Sequence, residues 1–353
     1  MPASIAHFVN LIDTYHGLKF NGKGSKSDPF KAEPIKKNTL GSAKDQGISQ
    51  YAYLGSIFPD LPYYHKDGKT TFAADFFHYN LSGTYAIKLI DYAIGKGVGS
   101  ASGNRLLALA LGFITHIAAD VVCHPYINTI AGAYWDQLVP FIDKIDVPLL
   151  PGKKAGKVSM HMMTETHQDA FLAIDYFKLK DLSTTGASKS WSDFINDLSL
   201  GIFVPWRKDD MEDLFKDVCR CFREVYGETL NEDYLWNAGN IIFESLDGSY
   251  DRALFPFPDR PSYNLVNYGY RKHDYKFYLA KATALSQALC TKALDYVHGG
   301  QSEKDSLKKY LKNWNLDMGY TLKLEAKMSN NVLEVHVKCE HSWCHNYGKY
   351  DMP

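Results

Sequence analysis

The chain has 353 residues, 45% hydrophobic and 22% charged, a balance that excludes a disordered or collagen-like protein, while the length excludes a disulfide-stapled miniprotein. Lys and Arg total 39 against 40 Asp and Glu, so the net charge is -1 and no global basic field exists to hold a nucleic-acid backbone. Any phosphate group must therefore be bound locally or through a metal.

In chain order, residues 3–15 carry apolar side chains at helical spacing, and Gly17 supplies a stop. Residues 20–47 are rich in Gly, Ser, Lys and Pro and read as a long loop. A short helix over 48–57 ends at Pro59, and a helix over 72–95 breaks near Ser82-Gly83. The segment 104–123 is almost wholly apolar and is predicted to be the central buried helix, stopped by Pro125. It imitates a membrane span, but His116 and Asp120 lie inside it, and ionisable groups are costly in lipid. No transmembrane segment is expected.

Further helices are predicted over 131–145, 158–177, 191–204, 210–227, 232–246 and 272–298, with loops or irregular segments at 148–157, 184–189 and 255–268. The period then changes. Residues 321–328 and 332–339 alternate in twos across Ser329-Asn330-Asn331, a hairpin signal. The fold class is all-α with a small C-terminal β-hairpin. The expected organisation is a metal-binding helical core (1–180), a helical extension packed on it (181–314), and the hairpin and tail (315–353). Six cysteines at 123, 219, 221, 290, 339 and 344 form no disulfide framework and are expected to be reduced. The opening MPASIAHFVNLI lacks the basic region and cleavage site of a signal peptide, which suits an intracellular protein if the chain starts there.

His116, Asp120 and His124 stand four residues apart, so they share one face of the central helix with about 40° of drift per step. Imidazole and carboxylate together suit Zn²⁺ or a similar divalent ion. A patch of mutually satisfied polar groups is the alternative, but each group on so apolar a helix would carry an unmet desolvation cost without a common partner. His161, Glu165 and Asp169 repeat the spacing. Alone, that triplet is an ordinary solvated face; beside the first, two helices can enclose a polynuclear centre. Pro59-Asp60 is a rigid ligand or a simple turn cap. His7 and His78 are inconspicuous, and His16, His65 and His167 compete with them. The tail CEHSWCH, with Cys339, His341, Cys344 and His345, has no second pair at finger spacing and reads as polar chain. The Tyr-rich stretches 51–64 and 263–278 read as packing, with a substrate cleft as the other possibility.

MPASIAHF, YLGSIFPDLPYY, FFHYN, GFITHIAADVVCHPYI and HMMTETHQD, in that order, resemble the zinc-dependent phospholipase C family, whose superfamily includes the P1/S1-type single-strand nucleases. The resemblance covers about residues 1 to 175, and its most specific part is the run from Gly112 to Ile127. It implies a multi-helix domain of phospholipase C/P1 nuclease type holding up to three zinc ions. Carried over, Asp60, His78, His116 and Asp120 would hold one ion, and His124, His161 and Glu165 a second. Asp120 would bridge to a third, completed by His7 and the N-terminus; with Met1 removed, Pro2 stands five positions before His7 and would offer its amine. Asp169 would support the ligands from behind. Asp60 would orient the attacking water or take its proton. The implied activity is phosphoric ester hydrolysis, foremost of a phospholipid diester, with transient contact at a membrane surface. A nuclease, a hydrolase or lyase of a small anionic metabolite, and an inert metal-binding module are the competing functions. No specific nucleic-acid signal is present.

Overall fold

A computed structural model describes residues 4–17, 50–64, 70–131, 165, 168, 169, 172, 208–236, 275–316, 320–329 and 332–339. The expected segments 20–47, 132–157, 184–204 and 241–268, the CEHSWCH tail beyond Cys339, Pro2, His65, His161 and His167 lie outside them, as does the side chain of His16. The described elements run α1 (Ser4–Gly17), α2 (Gln50–Ile57), a 3-10 turn (Leu61–Tyr64), α3 (Thr71–Tyr79), α4 (Ser82–Gly95), α5 (Ala101–Ala131), α6 (Lys208–Tyr226), α7 (Tyr275–Gly299), α8 (Gln301–Tyr310), β1 (Trp314–Asn315), β2 (Tyr320–Ser329) and β3 (Val332–Cys339). The all-α class with a C-terminal hairpin is what the structure shows.

α5 is the axis of the molecule. Its residues from Leu106 to His124 are buried on every side, the pattern of a helix surrounded by other helices. Residues 101–127 are long and apolar enough to cross a membrane, yet the most apolar window within them is wholly buried inside the protein. α2, α4 and α7 pack directly along α5, while α1 lies against α2, α5 and α7. α6 closes the far side: Met211, Leu214, Phe215, Val218 and Phe222 face inward at helical spacing, while Asp213, Lys216, Arg220 and Glu224 face solvent. Phe58, Phe77, Tyr85, Phe113, Phe222 and Tyr226 form one aromatic cluster between α3, α4, α5 and α6. Of the Tyr-rich stretch 51–64, Tyr51 and Tyr53 are buried core.

Pro125 does not stop α5, contrary to the sequence expectation; the helix continues to Ala131. An interior proline costs about 3 kcal/mol through the lost hydrogen bond and ring clash. Burial of Tyr126, stacked on Tyr275, and of Ile127 gives the extra turn enough packing to offset that. The break between α3 and α4 falls at Asn80-Leu81, just before the expected Ser82-Gly83. Leu81 takes the left-handed conformation at φ 48°, and Gly83 serves another purpose: a Cβ there would lie 2.5 Å from the Lys312 carbonyl oxygen.

The sheet has the order β1-β2-β3, both pairs antiparallel. β2 and β3 pair from Leu322 opposite Cys339 to Ser329 opposite Val332, so the expected hairpin forms, with Ser329 in the strand rather than in the connection. β1 and α8 are not among the elements expected from the sequence. Cys123, Cys219, Cys221 and Cys290 are buried free thiols, as expected.

Candidate metal centre

Four helices and one turn bring the candidate ligands together. His7 comes from α1, Asp60 from the turn after α2, His78 from the last turn of α3, and His116, Asp120 and His124 from α5. Glu165 and Asp169 belong to a further helical stretch. All eight side chains are buried.

The distances describe one continuous cluster. His78 Nε2 lies 3.0 Å from Asp60 Oδ1 and 3.5 Å from Asp120 Oδ2. His116 Nε2 lies 3.0 Å from Asp120 Oδ2, and His7 Nε2 lies 3.3 Å from Asp120 Oδ1 and 3.9 Å from Asp60 Oδ2. His124 Nε2 lies 3.0 Å from Glu165 Oε1. Two groupings have every ligand atom within 4.8 Å of the others: His7, Asp60 and His116, and His78, His116 and Asp120. The geometry thus draws His7, stacked on His116 at 4.0 Å between ring centroids, toward Asp60 as well as Asp120.

The backbone sets the imidazole tautomers. His78 Nδ1 donates to the Ala74 carbonyl at 2.8 Å, His116 Nδ1 to the Ser56 carbonyl at 2.9 Å, and His124 Nδ1 to the Leu316 carbonyl at 2.9 Å. A carbonyl can only accept, so each Nδ1 carries a proton, and the neutral form of each ring turns a bare Nε2 inward. Each Nε2 faces a carboxylate oxygen: those of His78 and His116 lie against Asp60 and Asp120, and that of His124 is at hydrogen-bond distance, 3.0 Å, from Glu165 Oε1. Both Asp60 oxygens, Asp120 Oδ2, His116 Nε2 and His7 Nδ1 are buried without a hydrogen-bond partner. Among the described residues no Lys or Arg pairs with Asp60 or Asp120.

Burial, reinforced by neighbouring His116, depresses the His7 pKa to about 4, which leaves its ring neutral at neutral pH. Burial alone would raise Asp120, but His116, His124 and His7 more than offset it and hold the carboxyl well below its usual range. Asp60 and Asp120 are buried with no Lys or Arg beside them among the described residues, a costly arrangement that divalent cations would relieve. The donor set of imidazole nitrogen and carboxylate oxygen fits zinc.

Asp169 lies behind His7. Its Oδ2 and Oδ1 accept from the Ile5 and Ala6 amides at 2.8 and 2.9 Å, capping α1 from another part of the chain. Ser56 and Leu316 went unnoticed in the sequence because they act through backbone carbonyls, which carry no side-chain signal.

A helical protein whose central helix presents imidazoles and carboxylates to one buried cluster has the donor set of the helical metalloproteins. Residues 35–221, more than half the chain, match the family model described as zinc-dependent phospholipase C. No curated protein and no solved structure matches the chain. The chain belongs to the zinc-dependent phospholipase C family, and at that level it is a zinc-dependent phosphoric ester hydrolase. The matched span includes Asp60, His78, His116, Asp120, His124, His161 and Glu165; His7 precedes it.

Proposed function

We propose that the protein hydrolyses a phosphodiester, with a phospholipid of phospholipase C type as the first substrate class. In this reading Asp60, His78, His116 and Asp120 hold one zinc ion, His124, Glu165 and His161 a second, and Asp120, His7 and the Pro2 amine a third. The observation that carries it is the set of three imidazoles whose Nδ1 protons are committed to backbone carbonyls while Nε2 faces buried carboxylates.

Bound zinc would lower the pKa of water toward neutrality and stabilise charge developing on phosphoryl oxygens. The chain's own residues do the rest. The carbonyls of Ala74, Ser56 and Leu316 orient His78, His116 and His124, so little reorganisation is needed when the ions are in place. Asp120 stays ionised among the imidazoles and supplies the shared carboxylate. Asp60, fully buried with both oxygens lacking hydrogen-bond donors, takes the proton of the attacking water. Cationic ligation explains how a protein of net charge -1 would receive an anionic ester.

The test is elemental analysis of the purified protein followed by a panel of phospholipids, single-stranded nucleotides and simple aryl phosphodiesters. About three zinc ions per chain with release of a lipid phosphoryl head group supports the proposal. Preferential cleavage of single-stranded nucleotides would move it to the nuclease branch, and bound zinc with no ester cleaved would favour the inert module.

A further inference from the structure

The segment from Leu311 to Leu316 lies beyond the part of the chain that matches the family. Yet it runs directly behind the metal ligands. The Leu316 amide donates to the His78 carbonyl at 2.8 Å, and the Leu316 carbonyl accepts from His124 Nδ1 at 2.9 Å. One residue, fully buried, therefore joins the end of α3 through its amide to a candidate ligand on α5 through its carbonyl.

α4 anchors this segment. Its N-cap is Leu81, strained into the left-handed region and unable to cap with its own side chain. Asn313 supplies the missing cap: its Oδ1 accepts from the Thr84 amide at 2.8 Å and the Thr84 hydroxyl at 3.1 Å. The Ser82 hydroxyl donates to the Trp314 carbonyl at 3.2 Å. Gly83 leaves room for the approach, since a Cβ would meet the Lys312 and Leu311 carbonyl oxygens at 2.5 and 2.7 Å. Helix α4 thus grips the 311–316 strap, and the strap grips His124.

We infer that the strap 313–316 is a positioning element of the metal centre: Asn313 and Ser82 seat it, and the Leu316 carbonyl fixes the tautomer and orientation of His124. This rests on the metal-binding reading above. Removing such outer partners of a ligating histidine costs about 10- to 100-fold in metal affinity.

The experiment uses the full-length chain and two readouts. Zinc affinity is measured by competition with a chromophoric chelator, and the His124 tautomer by long-range ¹H–¹⁵N NMR of the chelator-treated protein. Asn313→Ala and Leu316→Pro, which removes the donor to His78, should each weaken zinc binding about 10-fold or more. Both should turn a single Nδ1-protonated His124 into a tautomer mixture. Asn313→Asp keeps the acceptor and should stay within about 3-fold of the parent, a rescue that general destabilisation would not produce. Ser82→Ala, a mild change retained in case the others fold poorly, should show the same tautomer shift to a smaller degree. Parent-like zinc affinity and an unchanged His124 tautomer in the folded variants overturn the strap's role. If the parent itself takes up no zinc, the metal reading fails, while the tautomer measurement still decides whether the strap orients His124.

Discussion

Gly55 on α2 and Gly112 on α5 cross with their backbones in contact: a Cβ on Gly55 would lie 2.1 Å from the Leu109 carbonyl oxygen, and one on Gly112 would lie 2.1 Å from that of Ala52. The crossing sets the Ser56 carbonyl against His116 Nδ1 and brings the following turn, with Asp60, into the cluster. Because the obstacle is backbone, an added methyl must push the helices apart.

Gly55→Ala and Gly112→Ala are each expected to lose at least about 1–3 kcal/mol of stability, the usual cost of overpacking. Zinc content should fall with them, since His116 loses its orienting carbonyl. Urea unfolding midpoints and elemental analysis of the two variants measure both effects.

The two aspartates should separate. Asp120 lies within 4.0 Å of ring nitrogens of His7, His78, His116 and His124. Asp120→Asn is therefore expected to strip metal and activity together. Asp60→Asn should lower the hydrolytic rate about 10²- to 10⁴-fold, the range of a lost general base, while retaining more metal. Parallel zinc determination and phosphodiester assays check the contrast; full activity in both variants would remove the assignment.

Asp169→Ala leaves the Ile5 and Ala6 amides without their buried acceptor. A cost of about 1–3 kcal/mol is expected from the lost cap and desolvated amides. Asp169→Asn keeps one oxygen and should lose less. Denaturant titration gives the stability difference, and zinc content reports whether His7 has shifted with the start of α1.

Metal-free protein should be acid-labile in a defined window. His7 has a folded pKa of about 4 against an ordinary value of 6.5, so the unfolded chain binds more protons between those limits. Stability therefore falls as the pH drops from 6.5 toward 4, by about 3 kcal/mol for this group. Asp120, held below the usual carboxylate range, adds loss of the same sign below its ordinary value of 3.8. Thermal melts of chelator-treated protein across this range should show the decline, His7→Gln should flatten its upper part, and added zinc should raise the melting temperature at neutral pH.

Local periodicity carried much of this protein. The apolar run of α5 marks its central helix, and the four-residue spacing of His116, Asp120 and His124 puts them on one face, because helical geometry converts sequence distance directly into direction. Two-residue alternation around Asn330-Asn331 marks the hairpin for the same reason. His7, Asp60 and His78 have no such spacing and were legible only through the family resemblance.

Only the tertiary structure decided what lies around those residues. Pro125 stays helical because Tyr126 and Ile127 find burial there, a contest between a local penalty and distant packing. Leu316 and Ser56 orient imidazoles through backbone carbonyls, which every residue possesses and no composition reveals. Asn313 caps a helix that begins 231 residues earlier in the chain. The sequence alone therefore determined the helical frame and the shared face of His116, Asp120 and His124 on α5, since both follow from neighbours along the chain. The folded core selected each proton, cap and close approach, since those depend on groups that meet only in space.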